Sequence, residues 1–372
     1  MPINKLPEKK NGLSKYRVRV NYTSTDGKYH QIERTVFGLE QAKQMESRLL
    51  QEIKHGENIS NTLSLQALVD EYANSQKYEI RESTLDKTLT ILNKYVLPHF
   101  AQTKLNKLTV PALQKWKDEI NSLGLALNTR KNIYAAFRGV LNYGVRLGYI
   151  NTNPLSKIGN FKDVITLKQN IDYYTPKEFK KFIQAAHNRA KNKDGYEWNY
   201  YVFFNIAFYT GMRKGEIYAL KWSDIKNERI NITKSITQKL KGGDRETPPK
   251  NKSSIRELQI PTPLINILNE HKARMTRAPG FNDSWYICGG EICVRDTSIT
   301  NRNIKYASDA GVKQIRIHDF RHSHASLLAN EGINIQEIAR RLGHSKIEIT
   351  WNTYSHLYPR EEERAIKILN KI

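Results

Sequence analysis

The amino-acid sequence predicts a multidomain chain, mainly α with small β-sheets. Three observations carry this. At 372 residues the chain is longer than one hydrophobic core usually organises, which points to two or three domains. Apolar residues spaced i, i+3, i+4, i+7, the period of an amphipathic helix, recur through much of the chain. Strand character is confined to a stretch near the N-terminus and another around residues 230–260.

Residues 14–37 read as strands, because Tyr16, Val18 and Val20 alternate with Arg17 and Arg19. Thr25-Asp26-Gly27-Lys28 is a hairpin signal, with Asp-Gly suited to the positive φ of a tight turn. A helix follows from about Leu39 to Ile53. Together these predict a basic β-sheet capped by one helix, over residues 1–60. A sheet face carrying Arg17, Arg19 and Lys28 suits a DNA groove, and it equally suits plain solvation.

Residues 63–157 read as a helical domain. Leu65, Leu68, Val69 and Tyr72 keep helical spacing behind Ser64, an N-cap residue. Ile133, Phe137, Val140 and Leu141 repeat the pattern in a last helix, which Asn151-Thr152-Asn153-Pro154 is expected to stop. Lys131, Arg138 and Arg146 decorate that helix, as a DNA-binding face or an ordinary charged one. A polar connector over 158–172 marks a boundary, and residues 172–372 form the last domain. Its first helix carries a capping signature: Thr175, then Pro176 at the first helical position, then Glu178. Ile230, Ile232, Leu258 and Ile260 have strand character around the loop Gly242-Gly243-Asp244.

Charge narrows the partners. Lys and Arg total 60 against 37 Asp and Glu, a net charge of +23. Such an excess suits a polyanion, since each cation placed on a phosphate releases condensed counterions. No stretch approaches the roughly 20 apolar residues that span a bilayer, and the start, Met1-Pro2-Ile3-Asn4-Lys5, lacks the apolar core of a signal peptide. Cys288 and Cys293 are too few for a disulfide framework or a four-cysteine zinc site, and ordinary packing in a reducing cytoplasm is expected.

Three segments of the last domain carry candidate chemistry. In Thr210-Gly211-Met212-Arg213-Lys214-Gly215-Glu216, an apolar helix from Tyr201 to Tyr209 ends at Gly211, and Arg213 sits at the turn into the next helix. Glu216 is placed to orient Arg213 by a charge-assisted hydrogen bond; an arginine after a helix-ending glycine is also a common structural feature. In His318-Asp319-Phe320-Arg321-His322-Ser323-His324, His318 and Arg321 fall on one helical face, a pairing suited to a phosphate. A metal site is disfavoured, because only His318 and His322 have i, i+4 spacing and no acidic or cysteine ligand is arranged with them. Leu342-Gly343-His344-Ser345 is followed, ten residues after the histidine, by Tyr354.

Taken in order, TGMRKGE, HDFRHSHAS, LGHSKIEIT and TYSHL resemble the signature of the tyrosine recombinase, or phage integrase, family. The strict match covers about 160 residues, from the helix of Arg213 to the end. The three-part order upstream is also similar to integrases of temperate phages and conjugative elements. The resemblance implies an arm-type DNA-binding domain, a helical core-binding domain and a mixed α+β catalytic domain. It implies catalytic roles for Arg213, His318, Arg321, His344 and the nucleophile Tyr354, with Glu216 in support. A general-acid lysine is expected in the stretch Pro249-Lys250-Asn251-Lys252-Ser253-Ser254-Ile255-Arg256, where Lys250 is the better match and Lys252 stays open.

The expected reaction is site-specific cleavage and rejoining of double-stranded attachment-site DNA through a 3′-phosphotyrosyl link, integrating and excising a mobile element. Arg213 and Arg321 would clamp the phosphate and His344 would add a hydrogen bond. His318 is the candidate proton acceptor for Tyr354, and Lys250 would protonate the leaving 5′ oxygen. No cofactor or metal is expected, the cationic side chains standing where a metal ion would. The resemblance further implies a homotetramer on DNA, an excisionase and a host DNA-bending protein as partners, and a bacterial cytoplasmic location. An apolar stripe, Ala365, Ile368, Leu369 and Ile372, suits docking on a neighbouring protomer. Two rival readings are a type IB topoisomerase, which relaxes DNA without pairing sites, and a DNA-binding regulator without catalysis.

Overall fold

The computed structural model describes residues 3–10, 12–23, 29–54, 63–162, 171–191, 195–238, 243–249, 251–358, 362, 366, 369 and 370. Lys28, Lys250, Gly242, Ala365, Ile368 and Ile372 lie outside these. The chain divides into two compact units, Met1–Leu167 and Lys168–Ile372.

The first unit begins with an antiparallel sheet in the order β1 (Ile3–Lys10), β2 (Leu13–Thr23), β3 (Tyr29–Phe37), followed by α1 (Leu39–Lys54). Alternation along β2 buries Val18 and Val20 with Ala42 and Leu49 of α1. Arg17 and Arg19 therefore fall on the opposite face, half exposed, and both pair with Glu33 of β3, at 3.0 and 2.9 Å. Strand β1 has no counterpart among the sequence expectations, because five of its eight residues are charged or amide and mask its period.

Helices follow: α2 (Leu65–Gln76), α3 (Glu82–Tyr95), the short α4 (Leu97–Phe100), α5 (Val110–Ser122) and α6 (Leu127–Arg146). Ser64 caps α2, its hydroxyl accepting from the Ala67 N–H at 3.2 Å. Leu65, Leu68, Trp116, Phe137 and Leu141 share one core. Helix α6 stops at Arg146, not at the Asn-Pro segment: Gly148 takes φ +76°, so the helix is already broken there, and Asn153 instead caps a short 3-10 turn through the Leu155 N–H at 3.0 Å. Lys131, Arg138 and Arg146 are exposed on α6.

The second unit opens with α7 (Pro176–Lys191), closed by the predicted box: the Thr175 N–H donates to Glu178 Oε2 at 2.8 Å and the Glu178 N–H to Thr175 Oγ1 at 3.3 Å. Helix α8 (Tyr196–Thr210) is apolar almost all round and packs against α7 and two later helices, α10 (Thr262–Met275) and α12 (Asp319–Asn330). Between α8 and α10 lie α9 (Lys214–Tyr218), an antiparallel sheet in the order β4 (Ile225–Lys226), β5 (Arg229–Ile232), β8 (Arg256–Gln259), and a hairpin of β6 (Ser235–Thr237) with β7 (Arg245–Thr247). Helix α11 (Asp296–Ala310) precedes α12, and α13 (Ile335–Leu342) and α14 (Ile347–Tyr354) follow it. Cys288 and Cys293 are buried and free. No described helix is long and apolar enough to cross a membrane.

Candidate active site

Two glycines let the site form. Gly211 ends α8 with φ +64°, and a Cβ there would lie 2.7 Å from the His324 ring. The sharp turn this permits makes Arg213 the N-cap of α9, its N–H donating to Glu216 Oε2 at 3.0 Å. Its side chain then donates from Nη1 to Glu216 Oε1 at 2.9 Å and to Ser254 Oγ at 3.3 Å, and from Nη2 to the Gly343 carbonyl at 3.1 Å. Gly343 ends α13 with φ +66°, and a Cβ there would press on Arg256 Nη1 at 3.0 Å and the Ser253 carbonyl at 3.1 Å.

Glu216 is 3% exposed and has a second arginine. Arg256, arriving on β8, donates from Nη2 to Oε2 at 3.0 Å and from Nη1 to Oε1 at 3.3 Å. It also donates from Nη1 to the Ser254 carbonyl at 3.0 Å and from Nε to the Arg341 carbonyl at 2.6 Å. Burial works to raise the Glu216 pKa, but Arg256 and then Arg213 outweigh it and hold the carboxyl below its usual range. Arg256 thereby ties α9, the hairpin exit and the end of α13 to one carboxylate.

Helix α12 supplies the second cluster. His318 stands at its N-cap position, and Arg321, one turn in, is buried. Arg321 Nη1 donates to the Gly211 carbonyl at 2.9 Å, while its buried Nη2 has no partner among the described residues. Burial, reinforced by Arg213, lowers its pKa to about 9. A buried guanidinium with an unfilled donor beside a second arginine is the complement of an anion.

Three histidines are held neutral at pH 7. Burial, then His322 and Arg321, lowers His318 to about 4. Burial, then Arg321, Arg213 and Arg256, lowers His344 to about 3. Burial also lowers His322. His344 Nδ1 lies 2.8 Å from the hydroxyl of the buried Thr350 on α14. Tyr354, the last residue of α14, is 1% exposed among Ala325, Ala329, Ile338 and Leu342. Its hydroxyl lies 2.5 Å from His322 Nδ1. Burial raises its pKa above the usual 10, with the charge of Arg321 acting the other way.

Arg213, Glu216, His318, Arg321, His344 and Tyr354 are thus gathered in one neighbourhood, linked by direct bonds or by the field of Arg321. Lys250 lies outside the described residues; Lys252 is exposed on the short turn before β8. His324 is structural: its Nδ1–H donates to the Phe208 carbonyl at 2.8 Å, and its Nε2 accepts from Arg341 Nε at 3.3 Å. Among the described residues no group of three His, Cys, Asp or Glu is placed to hold a metal ion. Sequence reasoning missed Arg256, Thr350 and the contact of His322 with Tyr354. A signal existed for Arg256, which shares the buried alternation of Leu258 and Ile260 and so is an arginine in a core position.

Comparison with known proteins gives the family and the fold. Residues 172–361 match the phage integrase family, and residues 64–121 match the phage integrase N-terminal SAM-like domain. The ICEBs1 integrase of Bacillus subtilis (strain 168) is 28% identical over 340 residues, covering 88% of this chain and 89% of the relative. A tyrosine recombinase XerC-like protein of Caldanaerobacter subterraneus is 28% identical over 286 residues, covering 70% of each. Similar solved folds include the Tn1549 transposon integrase in complex with a circular intermediate DNA, with a TM-score of 0.65 and 17% identity over 82% of this chain and 99% of that one. They also include a lambda integrase tetramer bound to a Holliday junction, with a TM-score of 0.57 and 15% identity over 97% of both chains. The chain belongs to the phage integrase family of tyrosine recombinases.

Proposed function

We propose that this protein recombines double-stranded DNA at specific attachment sites through a covalent bond between Tyr354 and the 3′ phosphate. The observation that carries this reading is the buried, half-satisfied guanidinium of Arg321, set beside Arg213 and acting on Tyr354 and His344. Arg213 and Arg321 take the two non-bridging oxygens of the scissile phosphate and stabilise the charge that grows on them. The Thr350 hydroxyl, donating to His344 Nδ1, keeps the ring proton on Nε2, from which His344 donates to the same phosphate. As the Tyr354 oxygen bonds to phosphorus, the bond to the 5′ oxygen breaks, and a hairpin lysine, Lys250 or Lys252, gives that oxygen its proton. The phosphotyrosine conserves the energy of the phosphodiester, so rejoining needs no nucleotide.

The three-part reading of the chain supports a division of labour: 1–60 on flanking arm sites, 63–157 on the core site, 172–372 in catalysis. Arg17 and Arg19 share Glu33, so their sheet face carries a smaller excess charge than the sequence suggests; exposed Lys131 and Arg138 are the phosphate contacts of the helical domain. Four copies acting on two duplexes, with an excisionase and a host DNA-bending protein choosing the direction, complete the proposal, which places the work in the bacterial cytoplasm. The test is a nicked attachment-site substrate that traps the covalent complex on a denaturing gel. Wild type gives the adduct, and Tyr354→Phe binds the DNA and gives none. An adduct surviving in Tyr354→Phe overturns the reading, with Tyr358 the next tyrosine to examine.

A further inference from the structure

From the sequence His318 is the candidate acceptor of the Tyr354 proton, yet among the described residues the hydrogen-bond partner of the Tyr354 hydroxyl is His322. The His322 ring contacts both, with its centroid 5.2 Å from that of His318 and 5.8 Å from that of Tyr354. We propose that His322 is the catalytic residue that accepts the Tyr354 proton during DNA cleavage and returns it during rejoining. This deepens the recombinase reading and rests on it.

The geometry fixes the proton's path. His322 Nδ1 is 2.5 Å from the tyrosine oxygen, within reach for direct transfer. Neutral imidazole with its proton on Nε2 presents a lone pair at Nδ1. In cleavage the O–H bond of Tyr354 breaks, its proton goes to Nδ1, and its oxygen pair forms the bond to phosphorus as the bond to the 5′ oxygen breaks and a lysine protonates that oxygen. The imidazolium so formed carries the proton through the covalent stage. In rejoining, the 5′ hydroxyl attacks phosphorus and gives its proton back to the lysine that supplied it, the bond from phosphorus to the Tyr354 oxygen breaks, and Nδ1 returns its proton to the departing phenolate.

The charges around His322 suit both halves. Asp319, one turn back toward the start of α12, favours the imidazolium, while Arg321 and Arg316 oppose it, and His318 and Tyr354 face the ring. Burial together with the two arginines leaves the ring neutral at rest, and the Asp319 carboxylate limits the cost of its transient charge. Tyr354 needs such a partner, because burial holds its phenol above the ordinary range and leaves almost no free phenolate near pH 7.

The test uses the full chain with DNA at saturation, reading single-turnover adduct formation on a nicked substrate. His322→Asn keeps an acceptor near Nδ1 but cannot hold a proton. It should bind DNA as wild type does and cleave about a hundredfold or more slowly. The wild-type rate should fall below a pKa lying under the usual histidine value, and His322→Asn should lack that limb. Replacing Tyr354 by fluorinated tyrosines of greater acidity should restore much of the rate in His322→Asn. A wild-type rate in His322→Asn overturns the proposal. So does a slow variant that acidic tyrosines do not rescue, since His322 would then only place the ring. If His322→Asn folds poorly, the same tyrosine series in wild type decides: a shallow dependence on phenol acidity supports a shared proton, and a steep rise refutes it. Failure of wild type to form any Tyr354 adduct instead brings down the recombinase reading, and this inference with it.

Discussion

Replacing Arg256 with methionine keeps the volume of a buried side chain and removes its charge. Glu216 then keeps the Arg213 bonds at 2.9 and 3.0 Å and loses those at 3.0 and 3.3 Å. The carbonyls of Ser254 and Arg341 lose donors at 3.0 and 2.6 Å. Breaking one side of a buried ion pair costs about 3–5 kcal/mol. At roughly 2–4 °C per kcal/mol for a unit of this size, the second unit should melt about 6–20 °C lower. Urea denaturation, following the second unit, gives the free energy directly. Adding Glu216→Gln to Arg256→Met removes the buried charge left with Arg213 alone and should recover part of the loss. The pH dependence has a definite sign. The Glu216 pKa is depressed on folding, so its contribution is complete above the ordinary glutamate pKa and fades as pH falls through the folded value. The gap between wild type and Arg256→Met should therefore narrow in acid. A loss below about 1 kcal/mol, or two substitutions that simply add, would refute the view that Arg256 and Glu216 form the framework of the site.

Further outcomes follow from the same geometry. Thr350→Val removes the hold on the His344 ring proton; losing one hydrogen bond of about 1 kcal/mol should slow cleavage roughly fivefold to tenfold, with DNA affinity unchanged in a gel shift. Lys250→Ala should cleave ordinary DNA slowly, yet cleave a substrate with sulfur at the bridging 5′ position near the wild-type rate, since a thiolate leaves without a proton; rescue of Lys252→Ala alone would move the acid to Lys252. Cleavage should survive EDTA, because the proposed cations are side chains, and restoration by Mg²⁺ of an activity lost to chelation would contradict this.

The sequence made the site legible where residue type and order carry the chemistry. Arg213, His318, Arg321, His344 and Tyr354 were legible as candidates only through the resemblance of their segments, taken in order, to a family signature, and Glu216 through its three-residue spacing from Arg213. Helix starts were legible where caps are local, as at Ser64 and Thr175. The end of α6 was not, because Gly148 turned the chain before a stronger-looking Asn-Pro stop. The remaining misses are long-range. Arg256 meets Glu216 across 40 residues and His322 meets Tyr354 across 32. Nothing in local periodicity states which of two neighbouring histidines faces a tyrosine on another helix. His344 and Thr350 are only 6 residues apart, but their bond needs the turn at Gly343 and the start of α14, which sequence spacing does not specify.

In the proposed reaction the Tyr354 oxygen becomes covalently bonded to DNA. The direct measurement is to trap wild-type protein on nicked attachment-site DNA, digest the complex with protease and nuclease, and locate the nucleotide-bearing peptide by mass spectrometry. The expected result is a single modified peptide with the nucleotide 3′ phosphate on Tyr354, absent from Tyr354→Phe. A nucleotide on any other residue, or cleavage leaving no protein-linked nucleotide, would contradict it.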